Sequence, residues 1–582
     1  MISTTILTAA VLLLTILLAL PLGRYMHRVY SGDRFWATRL MGPVERGLYR
    51  ITGVSADQEM GWKRYAVALL IFNLIGGVFL YALLLAQGAL PLDPQHFKGV
   101  PSSSAFNTAV SFLTATNWQD YAGESTMSFL SQMLGLTVQN FLGAATGMAM
   151  LLAIMRGIAR QKVSGLGNFW VDMTRTVLYV LFPLSSLVAF MYMEQGAVQT
   201  LAPYVRAHLM VPFVYGTKTI THQLIAVGPS ASQEAITILG GNGGGFFNAA
   251  STHPFENPTG LTNFLHMLSF ILIPTAIVIL FGHMTQAPRT ARALLAAMLI
   301  LFIPLVLVSE HYELAGNPLL SPQVAQTNIP SLAGGGNMEG VEDRFGAGAT
   351  ALFASLATAS GAGISGGAYD SMIPLSGGVN LFFMQMGEVA FGGVGTGLAT
   401  MLAFVIFSVF LGGLMIGRTP EFLGKKITAF ELKMASLSIL IMPVCVLIAT
   451  ALAVTTEAGR AGAFNPGPHG FSEILYAFTS TANNNGSAFG GLNSDTRFYN
   501  LSTALCMLIG RYLVYLPLLA MAGALAGKQK VPSSAGTLTT HTPIFIGLLV
   551  GVVLLIGALN FFPALALGPI AEQLAPLATL TH

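Results

Sequence analysis

Charge is what this chain of 582 residues has least of: Asp, Glu, Lys and Arg together make up 9%, where a soluble domain carries roughly 25%. So thin a polar coat excludes a soluble globular fold. With 53% hydrophobic residues and a mean hydropathy of +0.68, the chain belongs in a membrane. Cysteine is nearly absent as well. Cys445 and Cys506 sit alone in apolar stretches far apart in sequence, give neither a metal nor a disulfide pattern, and read as packing residues. No basic stripe with interleaved aromatics occurs, so the net charge of +3 is not a nucleic-acid footprint and no nucleic acid is expected as a partner. His222, His253 and the other histidines show no ligand spacing and read as ordinary loop or interfacial residues.

What is abundant is apolar sequence in long runs. Crossing a bilayer as a helix takes roughly 20 apolar residues, and ten segments qualify: 3–22, 65–87, 129–155, 170–193, 263–284, 291–309, 380–417, 430–454, 499–526 and 543–563. The seventh is too long and is interrupted by glycines, which predicts a broken helix. The first has no basic residue before its apolar run and a basic cluster after it, so it reads as a retained span rather than a cleaved signal peptide. Counted on alternate sides of the ten spans, Lys and Arg number 20 on one side and 6 on the other, with Arg511 inside a span. The richer side is expected to be cytoplasmic, which puts both termini outside.

Between the spans lie four short loops rich in Gly, Asn and Ser: Thr116-Asn117-Trp118-Gln119, Gly241 to Gly245, Ser360 to Gly363 and Asn483 to Ser487. Each follows a helix-like stretch too brief to cross a bilayer. Any one of them reads equally well as a turn or as close helix packing. Four at equivalent places point to four walls of one pore, because irregular backbone at membrane depth survives only where it is buried in protein or lines a water-filled path. The expected fold is therefore an all-α integral membrane protein with four pseudosymmetric membrane-pore-membrane repeats around a central pore, plus two flanking helices. The expected divisions are 1–64 (first flanking helix and a cytoplasmic loop), repeats at 65–155, 156–285, 286–417 and 418–530, and 531–582 (last flanking helix).

The loop chemistry suits a dehydrated monovalent cation such as K⁺. Such an ion needs oxygens on several sides. Glycine lets successive carbonyls turn toward one axis, Asn, Ser and Thr add neutral oxygens, and the preceding helices aim the negative ends of their dipoles at the cavity. Fixed acids, as in a Ca²⁺ site, are missing from three of the loop cores, and Asp120, just after Gln119, is the one charge close by. The candidate filter residues are Thr116, Asn117 and Gln119; Asn242, Gly243 and Gly244; Ser360, Ala362 and Gly363; and Asn485, Gly486 and Ser487. Gln119 is expected to act through its side-chain carbonyl. Gly241 to Gly245 is no phosphate cradle, because no strand precedes it and no Lys-Ser/Thr follows.

Glu388 and Arg511 are the clearest ionisable residues inside apolar spans. A lone charge there costs at least roughly 2.5 to 3.5 kcal/mol, so they are expected to pair with each other, either as a structural salt bridge or as part of an ion path. Arg418 either anchors a helix end at lipid head groups or stands below the filter as a barrier to straight-through cation flow. The run Gly392-Gly393-Val394-Gly395-Thr396-Gly397 supplies the helix break for such a gate.

Thr116 to Tyr121, Ser232 to Ala235 continuing to Gly243 through Asn248, His253 to Pro258, Gly387-Glu388-Val389, Ile416 to Glu421 and Ala482 to Ser487 are motifs through which the chain closely resembles, end to end, the A-subunit family (KdpA) of the Kdp potassium-transporting ATPase. The resemblance implies a K⁺-binding and translocating subunit of the bacterial cytoplasmic (inner) membrane. It implies partners too: a P-type ATPase subunit (KdpB), KdpC, often a small KdpF, and membrane lipids. K⁺ would be the cargo, with no organic cofactor. The subunit would hydrolyse nothing by itself, in keeping with the lack of a Walker loop and of an Asp-Lys-Thr-Gly motif. The third loop departs from the family pattern: Ala362-Gly363 stands where a Cys-Gly pair is usual. A stand-alone K⁺ channel or ion-coupled symporter of the same superfamily, and a scaffold whose loops only pack helices, are the alternative readings of the sequence.

Overall fold

The computed structural model describes residues 2–318, 320, 324–327, 334–415, 417, 420–532 and 538–574. Ten of its helices are long and apolar enough to cross a membrane: α1 (Thr4–Ser31), α3 (Trp62–Ala89), α5 (Ser131–Ala159), α6 (Phe169–Glu194), α8 (Gly260–Met284), α9 (Pro288–Ala315), α12 (Thr396–Met415), α13 (Ala429–Thr455), α15 (Arg497–Gly527) and α16 (Pro543–Leu574). Each coincides with one of the ten apolar runs. Four shorter helices carry the loops: α4 (Ser102–Leu113), α7 (Ser230–Gly240), α10 (Gly346–Ser360) and α14 (Gly467–Asn483).

Burial sorts the spans. In α5 and α8, 83% of the most apolar stretch is enclosed, against 33% in α1, α3 and α16, so the first two form the protein interior and the last three present apolar side chains outward. The element order is α3–α4–α5, α6–α7–α8, α9–α10–α11–α12 (α11 being Pro374–Gln385) and α13–α14–α15, with α1 packed along α8 and α16 against α9 and α12. Local signals start the helices where they begin. Thr428 opens α13 in a capping box with Glu431, whose carboxylate accepts from the Thr428 N–H at 2.8 Å, and Thr259 caps α8 in the same manner.

The interrupted run 380–417 is broken as expected. Helix α11 (Pro374–Gln385) stops, a linker at 386–395 follows, and α12 resumes at Thr396. Left-handed backbone at Gly387, Glu388, Gly392 and Gly395 makes the break, and Gly392 lies so close to Gly397 that a Cβ would come within 2.0 Å of its Cα.

Two further features sit on this all-α framework. Residues Trp36–Thr52 form an amphipathic helix, α2, that buries Ala37, Gly42 and Glu45 and exposes Trp36, Leu40 and Ile51, the pattern of a helix lying in a membrane interface. Between α6 and α7, strands β1 (Val205–Tyr215) and β2 (Lys218–Ile225) form an antiparallel hairpin in which Tyr215 pairs with Lys218 across Gly216, whose φ is 60°. A span-by-span hydropathy reading overlooks both, because neither contains a crossing-length apolar run.

Candidate functional site: four loops on one axis

All four short helices end in the same way. The residue that terminates each is left-handed: Ala115 (φ 57°), Gly241 (59°), Gly361 (71°) and Asn484 (61°). The next residue then donates its N–H to the carbonyl five positions back: Thr116 to Ser111 and Ala362 to Ala357 at 3.0 Å, Asn242 to Thr237 at 3.0 Å, and Asn485 to Ser480 at 2.9 Å. This is Schellman-type closure, which prefers Gly and tolerates Asn. It sets Asn117, Gly243, Gly363 and Gly486 in register as one layer.

That layer closes on itself. A Cβ built on Gly243 would lie 2.7 Å from Thr116 O, 2.9 Å from Gly363 Cα and 3.1 Å from Asn485 O; one on Gly363 would lie 2.2 Å from Asn485 O, and one on Gly486 2.0 Å from Thr116 O. Backbone from four distant stretches of chain thus meets at one axis, with glycine supplying the room. Gly244 N donates to Gly363 O at 3.3 Å, tying loop two to loop three.

The polar side chains of the loops mostly serve as braces. Asn117 Nδ2 donates to Asn140 Oδ1 (2.6 Å), Asn140 Nδ2 to Thr237 Oγ1 (2.7 Å) and Asn242 Nδ2 to Asn140 O (2.9 Å), so one asparagine of α5 holds loops one and two together. Asn484 Nδ2 donates to Thr116 Oγ1 (2.9 Å), and Ser487 Oγ to Asn485 Oδ1 (2.6 Å). The Ser360 hydroxyl turns back to Ala357 O at 3.3 Å, so of this residue only the backbone belongs with the loop. The Gln119 side-chain oxygen accepts from Gly245 N (3.2 Å) while its Nε2 donates to Gly245 O (3.1 Å), a clamp between two loops. Buried Glu256, which the His253 to Pro258 motif contains without a role being assigned to it, accepts from the N–H groups of Phe246 (3.0 Å), Phe247 (3.3 Å) and Ser251 (2.9 Å), which fixes the exit of loop two.

On one side of the axis opens a vestibule of about 670 Å³ lined by Asn117, Gln119, Asp120, Gly363, Ser487 and Asp495. Burial, with Asp495 nearby, pushes the Asp120 carboxyl up to about 6. On the other side the way is shut. Ala115, Gly241, Gly361 and Asn484 face a residual space of about 10 Å³ bounded by Gly393 and Val394 of the 386–395 linker, and Gly392 N donates to Ala359 O at 2.8 Å to hold that linker in place. A neighbouring cavity of about 60 Å³ is lined in part by Glu388, Asn484, Arg511 and Tyr515.

Glu388 and Arg511 share that cavity without forming the expected ion pair. Glu388 Oε1 accepts from Asn485 Nδ2 at 2.8 Å. Arg511, in the π-helical turn Ile509–Leu513, donates to Gly143 O at 3.1 Å and stacks over the Tyr515 ring, 4.7 Å from its centroid. Hydrogen bonds and an aromatic face supply the stabilisation that sequence reasoning assigned to a direct partner. Arg418 lies outside the described residues.

Ten spans, four re-entrant helices and an axis of converging backbone define a pore-type membrane transport protein. Residues 9–574 match the family described as KdpA, potassium-transporting ATPase A subunit, and the chain belongs to that family. It is 55% identical to a potassium-transporting ATPase potassium-binding subunit of Sorangium cellulosum, covering 96% of both chains. It is 53% identical to the like-named protein of Klebsiella pneumoniae subsp. pneumoniae, covering 98% of this chain and 99% of that one. Among solved structures it shares its fold with the potassium transporter TrkH of Vibrio parahaemolyticus, with a TM-score of 0.50 and 14% identity over 89% of this chain and 98% of that one.

Proposed function

We propose that this chain is the K⁺-binding and translocating subunit of an ATP-driven potassium uptake complex. K⁺ would enter from the vestibule, lose its water among the carbonyls of Thr116, Asn242, Gly243, Ala362, Gly363, Asn485 and Gly486, and leave sideways toward a P-type ATPase subunit. The observation that carries this reading is the layer at Asn117, Gly243, Gly363 and Gly486, where carbonyl oxygens of separate loops crowd one axis. Supporting it are the names of the relatives at 50–55% identity, potassium-transporting ATPase potassium-binding subunits, and the linker that shuts the direct path below the loops. A pump subunit requires such a block, because an open channel would dissipate the gradient made by ATP.

The finer assignments belong to the same proposal. The repeats divide at 65–155, 156–285, 286–417 and 418–530; the complex sits in the bacterial inner membrane with both termini and the vestibule outside; and KdpB, KdpC and KdpF are its partners. Thr116, Asn117, Asn242, Gly244, Ser360, Ala362, Asn485 and Ser487 build or brace the filter, with Gln119 as a clamp. Glu388 and Arg511 line the sideways exit. The test is copurification with the ATPase partner, followed by ATP hydrolysis assayed against K⁺ and against Na⁺. Hydrolysis stimulated by K⁺ in the complex, together with an absence of K⁺ flux through the chain alone in liposomes, is expected. K⁺ conduction by the chain alone would refute the pump assignment in favour of a channel.

A further inference from the structure

On the vestibule side, away from the axis, four residues from three parts of the chain meet: Asp370, beyond the third loop; His469 and Glu473, on the first turns of α14; and Glu572, at the end of α16. His469 Nδ1 lies 2.8 Å from Glu572 Oε1, which turns Nε2 toward Asp370 Oδ1 at 3.1 Å and Glu473 Oε1 at 3.9 Å. One ligand atom each from Asp370, His469 and Glu473 fall within 4.8 Å of one another.

Hydrogen bonding does not satisfy this cluster. The Glu473 side chain is fully buried, and while its Oε1 accepts from Asn465 Nδ2 at 2.6 Å, its Oε2 has no partner at all. Three carboxylates surround one imidazole, and among the described residues the ion pairs they make are with that imidazole alone. A buried carboxylate oxygen without a donor, in a group with surplus negative charge, calls for a cation. Gly491 brings backbone against both ligands: a Cβ there would lie 2.0 Å from Glu473 Oε1 and 2.7 Å from Asp370 Oδ2.

The donor set names the ion class. One imidazole nitrogen with two carboxylates is a borderline ligand set that suits Zn²⁺ and its first-row neighbours, whereas Ca²⁺ and Mg²⁺ prefer oxygen alone. The contact of Glu572 with Nδ1 is the arrangement in which a carboxylate orients a metal-binding histidine, and Asn465 does the corresponding service for Glu473. His469 and Asp370 keep 23% and 18% side-chain exposure, so an ion can reach the site from outside the fold.

We propose that Asp370, His469 Nε2 and Glu473 bind one divalent cation of the Zn²⁺ class, with the Nε2 proton that otherwise faces Asp370 released to solvent as the ion takes its place; the ion pins the segment beyond the third loop to the fourth short helix and, through Glu572, to α16. Tyr369 beside the site donates to Ile364 O at 2.9 Å, and Tyr476, one turn beyond Glu473, contacts Ser487 at 2.8 Å. The ion would therefore stiffen loops three and four from behind.

The test uses the full chain in its complex, purified without a histidine tag, stripped with chelator and titrated separately with ZnCl₂, MnCl₂, MgCl₂ and CaCl₂. Elemental analysis, melting temperature and X-ray absorption are read. One zinc per chain, with one imidazole in its first shell and a raised melting temperature, is expected. His469→Ala and Glu473→Gln should each remove that zinc, and Glu572→Gln should weaken it roughly 10- to 100-fold. Wild-type complex that holds no more zinc than the His469→Ala variant, or that takes Ca²⁺ or Mg²⁺ in preference, would overturn the assignment. Should the variants fail to assemble, the absorption spectrum of the wild type still decides: a first shell without imidazole rejects the site.

Discussion

Adding one methyl group at the axis is the sharpest perturbation the loop geometry allows. At Gly363 the new Cβ would lie 2.2 Å from Asn485 O and 2.6 Å from Gly486 Cα; at Gly486, 2.0 Å from Thr116 O, on a backbone at φ 103°; at Gly243, no closer than 2.7 Å to anything. In the first two cases the obstruction is backbone of another loop, which cannot rotate away as a side chain would. Overpacking of this kind costs about 1 to 3 kcal/mol. If the layer is the ion site, that cost falls on the K⁺-bound state, and a tenfold change in affinity corresponds to about 1.4 kcal/mol. The K⁺ concentration for half-maximal ATPase activity of the assembled complex should then rise roughly 5- to 150-fold. Gly363→Ala and Gly486→Ala should exceed Gly243→Ala, and discrimination against Rb⁺ and Na⁺ should relax in all three. Gly241→Ala is the control. Its φ is also positive, but the nearest atom to its Cβ is 3.5 Å away, and Ala115 already occupies the equivalent place at φ 57°. Its K⁺ dependence should therefore shift least. Unchanged half-saturation in the three axial variants, each assembled at wild-type stoichiometry, would refute the filter assignment.

Other outcomes follow from the braces and the charges. Glu256→Ala strands the N–H groups of Phe246, Phe247 and Ser251; at about 1 kcal/mol or more for each unsatisfied buried donor, thermal melting should show a loss of about 3 kcal/mol, and an unaltered melting curve would contradict the bracing role. Asp120 binds its proton more tightly in the folded chain, with its value raised to about 6. Its contribution to stability is thus present below about pH 4 and lost as pH rises through about 6. Above that, its negative charge should draw K⁺ into the vestibule, so half-saturation should fall between about pH 5 and about pH 7, and Asp120→Asn should flatten that profile. Glu388→Ala removes the acceptor of Asn485 Nδ2 and should weaken K⁺ binding more than Glu388→Gln, which keeps an oxygen there; equal losses in a K⁺ titration would show that the charge, not the hydrogen bond, matters. The chain purified alone should release no phosphate from ATP, since it has neither a phosphate cradle nor a phosphorylatable Asp motif.

Much of the architecture is legible in the sequence because it depends on local properties. Whether 20 consecutive residues leave water is decided by their own side chains, so all ten spans are found, although the first and last run on to Ser31 and Leu574 and the seventh begins only at Thr396. A left-handed helix stop selects Gly or Asn, so three of the four stops, at Gly241, Gly361 and Asn484, are visible as composition; the fourth falls on Ala115, which composition does not mark. The break near Gly392 announces itself for the same reason. Partner choice is another matter. Gln119 clamps Gly245, Glu388 bonds Asn485 rather than Arg511, and Asn140 links two loops from a helix with no motif. His469, which has no ligand spacing in sequence, meets Asp370 about a hundred residues upstream and Glu572 about a hundred downstream. These contacts join residues brought together only when the spans pack, and the energy of a buried polar group depends on which atoms happen to face it. Hydropathy and turn chemistry therefore determine how many walls the pore has, and tertiary packing alone decides what braces them and what closes the floor.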